Sequence, residues 1–427
     1  MKHIIFYLLL TSFIFGCKSN QYDEIETDIP EGFKRIPLNS AITGVQPMTG
    51  IVLWTSNTSS RETDAISLEF SYLLYKDYVP AKDEYDWSKL DKLLEDVALR
   101  KHQAVIRFRY VYVADKESAV PQYIRNLPDY EETLGISEGK ETMFPDWRHP
   151  ELQRFHLEFY RKVAERYDND PRLAFLQTGF GLWAEYHIYD GPFIIGQTFP
   201  SQEFQETFFL QMEKDFKNTP WNISKDAAGK QYGPFYMNPD LKNLKFGIFD
   251  DSFMHAGHGA YNTSCIMFFG KERYMTSPMG GEFSYYTTND QRHVLDYPDG
   301  IYGRNFESEA GKFHVSYMIG NDQPKYQTME RIKEASMACG YLYRMDDFIV
   351  KDNLALVKVY NSGVAPIYYD AYITINGTRA EESLIDLQPG TEKWYEITFE
   401  GENPVLTIEC DRLVEGQKIE FEADVKK

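Results

Sequence analysis

Cysteine is scarce in this chain: four residues in 427, at positions 17, 265, 339 and 410, with no CxxC pair. That excludes a disulfide framework, a zinc ribbon and a dithiol redox centre. A nucleophile elbow of the form GxSxG is also missing. GHGAYN at 257–262 lacks the lysine and the strand-to-helix setting of a phosphate loop. Serine-hydrolase and nucleotide-driven chemistry therefore have no anchor in the sequence. Basic side chains are the minority, 45 against 65 acidic ones, for a formal net charge of −20. Such a surface repels phosphate backbones, so nucleic acid is not an expected partner. No repeat of 20–50 residues and no low-complexity tract interrupts the pattern.

Aromatic residues, in contrast, are plentiful. The 31 Tyr, 29 Phe and 6 Trp make up 15% of the chain, and 43% of all residues are hydrophobic. A chain of this length and apolar content folds as two domains, or as one large barrel with an accessory module.

The N-terminus, MKHIIFYLLLTSFIFGCKSN, carries Lys2, an apolar run from Ile4 to Phe15, and then Gly16-Cys17. About twelve apolar residues are too few for a transmembrane helix, which needs roughly 20. The segment reads as an export signal. Its end, Ile14-Phe15-Gly16-Cys17, resembles the bacterial lipobox, in which cleavage precedes a cysteine that becomes lipidated. Residues 1–17 are therefore read as a lipoprotein signal with Cys17 as the lipidation site, and residues 18–35 as a flexible acidic tether. The expected location is the cell envelope, anchored through lipid and facing the periplasm or the surface from the outer membrane. Of the three other thiols, Cys265 sits in the apolar run CIMFF and is expected to be packed rather than reactive.

Between residues 36 and 345, β-type runs alternate with helical patterns, the signature of βα units. Eight strands are predicted, at 50–56, 66–75, 104–113, 172–180, 244–250, 264–269, 280–286 and 312–320. Helical periodicity marks 87–100, 151–167 with Pro150 at the first helical position, 202–216 and 326–339. Eight strands with intervening helices fit a (β/α)₈ TIM barrel, with a doubly wound sheet as the alternative. From 346 to 427 the pattern becomes short strands separated by Asn-Gly and Pro-Gly turns, which predicts a small all-β, immunoglobulin-like sandwich.

A barrel binds ligands at the carboxyl ends of its strands. In the predicted order, those ends carry Arg107 and Arg109 near the end of the third strand and the stretch GFGLWAEYH, into which the fourth runs. Asp251 and His258 follow the fifth, Glu282 lies in the seventh, and Tyr317 lies in the eighth. Glu185 and Glu282 are the sharpest pair. Glycoside cleavage needs two carboxyl groups, one to protonate the leaving oxygen and one to attack the anomeric carbon or activate water. Trp54 and Trp183 offer flat faces for sugar rings, while Arg107, Arg109, His187, Asp251, His258 and Tyr317 offer hydrogen bonds to hydroxyls. DDSFMHAGHG at 250–259 contains metal-capable residues, but its spacing matches no metal motif. No metal or other cofactor is expected.

The stretch from ISLEFSYLLYKDYVP through DEYDWSKLDKLLEDVALRKHQAVIRFR is similar to the opening of β-galactosidase-like and cellulase-like barrel glycoside hydrolases. PDWRHPELQRFHLEFYRKVAERYDNDPRLAFLQTGFGLWAEYH resembles the segment leading to their acid/base residue. The order SYMIGND, helix, β-rich tail resembles a family of secreted bacterial lipoproteins that join such a barrel to a C-terminal sandwich. The resemblance implies Glu185 as acid/base and Glu282 as nucleophile, with a retaining mechanism on a poly- or oligosaccharide. Ala184 stands where those hydrolases usually carry Asn. A non-catalytic glycan-binding protein on the same barrel is thus the alternative.

Overall fold

The computed structural model describes residues 29–426. Cys17, the lipobox around it and most of the tether fall outside the described residues. Eight parallel strands close into a barrel. They are β1 (Gly50–Trp54), β2 (Leu68–Leu74), β3 (Gln103–Arg109), β4 (Leu173–Thr178), β5 (Trp221–Ser224), β6 (Gly247–Phe253), β7 (Met279–Phe283) and β8 (Tyr317–Ile319). Each pairs with its sequence neighbour, and β8 returns to β1 through Met318 opposite Ile51. Strands covered on both faces are almost continuously buried, which is why they read in sequence as apolar runs rather than alternations. The predicted TIM barrel is the fold observed.

Two strand assignments need correction. SCIMFF is not the sixth strand: it lies in the helix Gly259–Phe268, which buries Asn262, Cys265 and Ile266 on one face. A short apolar run has the same composition in a buried strand and a buried helix, so periodicity alone does not separate them. The strand overlooked is β5, the four-residue WNIS, buried at every position and introduced by Pro220. The two errors offset each other in number. DDSF therefore lies on the sixth strand, not the fifth, while Glu185 and Glu282 keep their places after the fourth and on the seventh.

The helices fall where the periodicity placed them: Ser88–Ala98, Pro150–Tyr167, Gln202–Asp215 and Met329–Met337. Pro150 opens its helix at the first position, where its missing N–H costs nothing, and the His149 ring accepts from the Glu151 N–H as a cap. Ser201 and Thr328 cap the next two through their hydroxyls.

Apart from a two-stranded hairpin, Thr133–Ser137 with Lys140–Phe144, the remaining strands lie mostly C-terminal to the barrel and form a six-stranded and a three-stranded sheet. Tyr343–Lys351 begins three residues before the sequence boundary at 346. The larger sheet also takes in Lys34–Arg35 and Leu38–Ser40, so residues read as the end of the tether and the start of the barrel pair with Val350, Ile349 and Val425 instead. The core of these sheets runs without a break into the lower barrel. Tyr341, Tyr343, Val357 and Ile373 share one apolar cluster with Val52, Val105, Phe175 and Tyr317. Arg412, buried at the junction, donates to the backbone oxygens of Asp168 (2.9 Å) and Leu173 (3.0 Å), and its own carbonyl accepts from Gln103 (2.7 Å). The sheets thus close the amino-terminal end of the barrel and leave the carboxyl ends open. No helix among the described residues is long and apolar enough to cross a membrane.

Candidate active site

At the carboxyl ends of the strands lies a cavity of about 600 Å³. Glu185 and Glu282 both line it, together with Trp54, Trp183, His187 and Asp251. Six of the residues proposed from sequence therefore converge on one space. The other four do not reach it, and each has a specific reason.

Arg107 is fully buried beneath the floor. Its Nε and Nη2 donate to Gln177 Oε1 (2.9 and 2.6 Å), and Nη1 donates to Glu185 Oε1 (3.0 Å) and to the Trp183 carbonyl (3.2 Å). The guanidinium stacks over Phe249 at 4.2 Å. It orients Glu185 from below and has no face left for a ligand. Tyr317 is also wholly buried, stacked on Phe175 at 4.7 Å and accepting from Gln177 Nε2 at 2.9 Å. Arg109 turns outward to Asp115 (2.7 Å) and over the Tyr112 ring. His258 sits behind the wall, its ring 4.5 Å from that of Tyr286.

The backbone explains why Glu185 points inward. GFGLWAEYH folds back on itself: the N–H groups of Phe180 and Gly181 donate to the Glu185 carbonyl (3.2 and 2.7 Å), and Leu182 N–H donates to the His187 carbonyl (3.0 Å). A β-carbon on Gly181 would lie 2.0 Å from the His187 oxygen, and one on Gly179 would lie 2.2 Å from the Ala184 oxygen. Only glycine fits at either place. Trp183 and Ala184 both take left-handed φ values, +54° and +55°, unusual for residues with side chains. This strain lies directly before the carboxyl group it aims. On β7 the glycines of MGGEF serve packing, not a turn. A β-carbon on Gly280 would meet the Tyr317 ring at 2.2 Å, and one on Gly281 would meet the Asp250 oxygen at 2.7 Å.

Burial pushes the Glu185 carboxyl well above the usual range, and the neighbouring Asp251 adds to the effect against the opposing pull of Arg107. Glu282 is pushed up to about 7, again by burial first, with Arg107 pulling it down and Asp251 and Asp322 raising it. Both carboxyl groups are therefore raised chiefly by burial, and both are further raised by the Asp251 charge.

Beside Glu185 runs a charged network that joins His187 and Asp251, both expected from sequence, to Lys225 and Asp226, which went unread together with β5. His187 lies 3.6 Å from Glu185 Oε2, 3.2 Å from Asp226 and 3.6 Å from Asp251. The buried Lys225 ammonium bonds Asp251 and also reaches Asp226 at 3.2 Å and Asp250 at 3.8 Å. Glu185, His187 and Asp251 each bring a donor atom within 4.8 Å of the others. The Lys225 ammonium already supplies positive charge to the acidic members of this network. The aromatic wall is also wider than predicted, with Tyr72, Tyr112, Tyr189, Tyr285 and Tyr286 lining the cavity. Trp183 and Tyr189 stack at 5.8 Å between centroids. Strand alternation points to Tyr72, but nothing in the sequence separates Tyr189 from the many other tyrosines.

No protein-family model matches the chain, and comparison with curated proteins returns no match. Solved structures similar to it include the galactosidase domain of an α-galactosidase–sucrose kinase, at 11% identity and a TM-score of 0.35 over 83% of this chain and 54% of that one. An α-galactosidase from Thermus thermophilus, in complex with p-nitrophenyl α-D-galactopyranoside, matches at 13% identity and 0.39 over 72% and 64%. An endo-1,4-β-xylanase from Caldicellulosiruptor owensensis matches at 10% and 0.37 over 64% and 84%. The chain spans about half the length of the first of these.

Proposed function

We propose that this protein is a glycoside hydrolase acting on a poly- or oligosaccharide, with Glu185 as acid/base and Glu282 as nucleophile. The observation that carries this reading is the placement of both carboxyl groups, from different strands, in one aromatic-walled cavity. Glu185, whose buried carboxyl favours the protonated form, donates its proton to the leaving oxygen while a Glu282 oxygen bonds to the anomeric carbon and the glycosidic C–O bond breaks. Water then attacks that carbon, Glu185 takes its proton, and the bond to Glu282 breaks. Flat Trp and Tyr faces suit the apolar faces of sugar rings. Incubation with a panel of glycans should release new reducing ends, and NMR of the first product should show the anomer of the substrate. An inverted product would remove Glu282 as nucleophile.

The departure at Ala184 favours a second reading, a non-catalytic glycan-binding protein. Glycan binding without new reducing ends would select it. We further propose export and lipid anchoring through Cys17, since a diacylated terminus holds a protein on a membrane far better than a single chain does. Cys17→Ser should leave the precursor uncleaved or move the protein to the soluble fraction. Fully processed, membrane-bound C17S protein would refute the anchor.

A further inference from the structure

The cavity is acidic throughout. Glu138, Glu185, Asp251, Glu282 and Asp322 line it with His187, and among the described residues no Lys or Arg does. No nearby cation lines the cavity, although three of them pair with its carboxyl groups from outside the lining. Arg107 lies under the floor on Glu185 and Gln177, Lys225 is buried on Asp251 and Asp226, and Arg109 faces Asp115. Lys325 pairs with Asp322 at 2.9 Å but does not line the cavity.

Besides the proposed catalytic pair and Asp251, which Lys225 holds, two carboxyl groups line the cavity. Glu138 comes from the tip of a hairpin, Thr133–Ser137 with Lys140–Phe144, and accepts from the Tyr189 hydroxyl beside the Trp183 stack. Asp322 follows β8, on the Glu282 side, and its field reaches Glu282 and Tyr285. Acidic groups therefore flank the aromatic floor on two sides. Carboxylates accept hydrogen bonds, and sugar hydroxyls supply donors in every direction. A uronate or sulfate ester supplies only acceptors and a like charge. Sites that take such groups present Arg in a bidentate fork or Lys as a point charge, and this lining has neither.

We infer that the cavity selects uncharged sugar units and rejects acidic ones, with Glu138 and Asp322 as the specificity-determining side chains. The inference rests on the proposal that the cavity takes a glycan, but not on catalysis. The test uses the intact protein on an array holding uncharged xylo-, gluco-, manno- and galacto-oligosaccharides beside oligogalacturonate, glucuronoxylan and sulfated glycans. Bound glycans should be confined to the uncharged set. The paired trimers of galactose and galacturonate should differ by about tenfold or more at low salt, and the gap should narrow as salt screens it. The double variant Glu138→Gln, Asp322→Asn should raise the acidic-to-neutral affinity ratio about tenfold. Either of two results overturns the inference: acidic trimers bound as tightly as their neutral counterparts at low salt, or an array on which no uncharged glycan is retained. Uncharged glycans that bind without new reducing ends would sink the hydrolase proposal and leave the selection standing.

Discussion

Arg107→Met is the substitution that most directly probes how the site is held. Arg107 has no solvent exposure and is the positive charge in hydrogen-bond contact with Glu185. Its effect on stability depends on whether its carboxyl neighbours are ionised. At pH 8 Glu282, pushed up to about 7, has lost its proton. Removing Arg107 then leaves a buried charge without compensation, a loss of about 3–5 kcal/mol. At pH 5 Glu282, pushed up to about 7, holds its proton, and burial favours the protonated form of Glu185 as well. The loss then reduces to hydrogen bonds, chiefly the two on Gln177 Oε1, or about 1–3 kcal/mol. The sign follows from linkage. A carboxyl raised in the folded state weakens that state as pH climbs through the folded value, and removing Arg107 raises it further. The variant should therefore lose about 2 kcal/mol more at pH 8 than at pH 5. Urea unfolding followed by tryptophan fluorescence, on wild type and variant at both pH values, measures this difference. A second comparison in a Glu282→Gln background should remove most of it. An equal loss at the two pH values, or a larger one at pH 5, would refute the account of Arg107 as the buried counter-charge.

Given an active substrate, kcat/KM should fall on the acid side with an apparent pKa near 7, as Glu282 takes up the proton that blocks nucleophilic attack; a flat profile down to pH 5 would count against Glu282. Glu282→Ala should abolish turnover and azide should restore it as a glycosyl azide, whereas Glu185→Ala should retain turnover of substrates with good leaving groups. Gly181→Ala forces a β-carbon to within 2.0 Å of the His187 oxygen, so it should destabilise the loop by about 1–3 kcal/mol and reduce activity far more than it lowers the melting temperature. Arg412→Ala removes the donors that tie the C-terminal sheets to Asp168 and Leu173, and chemical denaturation should show a loss of about 1–3 kcal/mol with no change in glycan affinity.

What could be read from the sequence, and what could not, follows from the range over which each feature is determined. Helices such as Pro150–Tyr167 carry their own signals: an apolar stripe, Pro at the first position and a cap. All of these are local, and the stripe and the proline were legible. That Glu185 and Glu282 come to the same end of the barrel was legible from strand order, which fixes the end at which each strand leads into its loop. WNIS was not legible, because four buried residues behind a proline hold no complete period of any pattern. Its omission hid Lys225 and Asp226, two residues of the charged network beside Glu185. SCIMFF was misread for the converse reason: its helical face is set by packing against the barrel and not by its own composition.

Arg107 shows the deeper limit. Its position at the end of a strand was correct, yet its role depends on a partner 78 residues away and on the aromatic ring of Phe249 above it. A cation at a strand end offers a ligand contact only if nothing in the barrel interior claims it first. Here Gln177 and Glu185 claim it, Arg109 is claimed by Asp115, and Lys225 by three aspartates. The same internal pairing that removes these residues from the ligand surface leaves a cavity lined by carboxyl groups, aromatic rings, His187 and Asn321, with no Lys or Arg among the described residues. The acidity of the cavity is thus a consequence of how the barrel satisfies its buried cations, and no count of charged residues along the chain would reveal it.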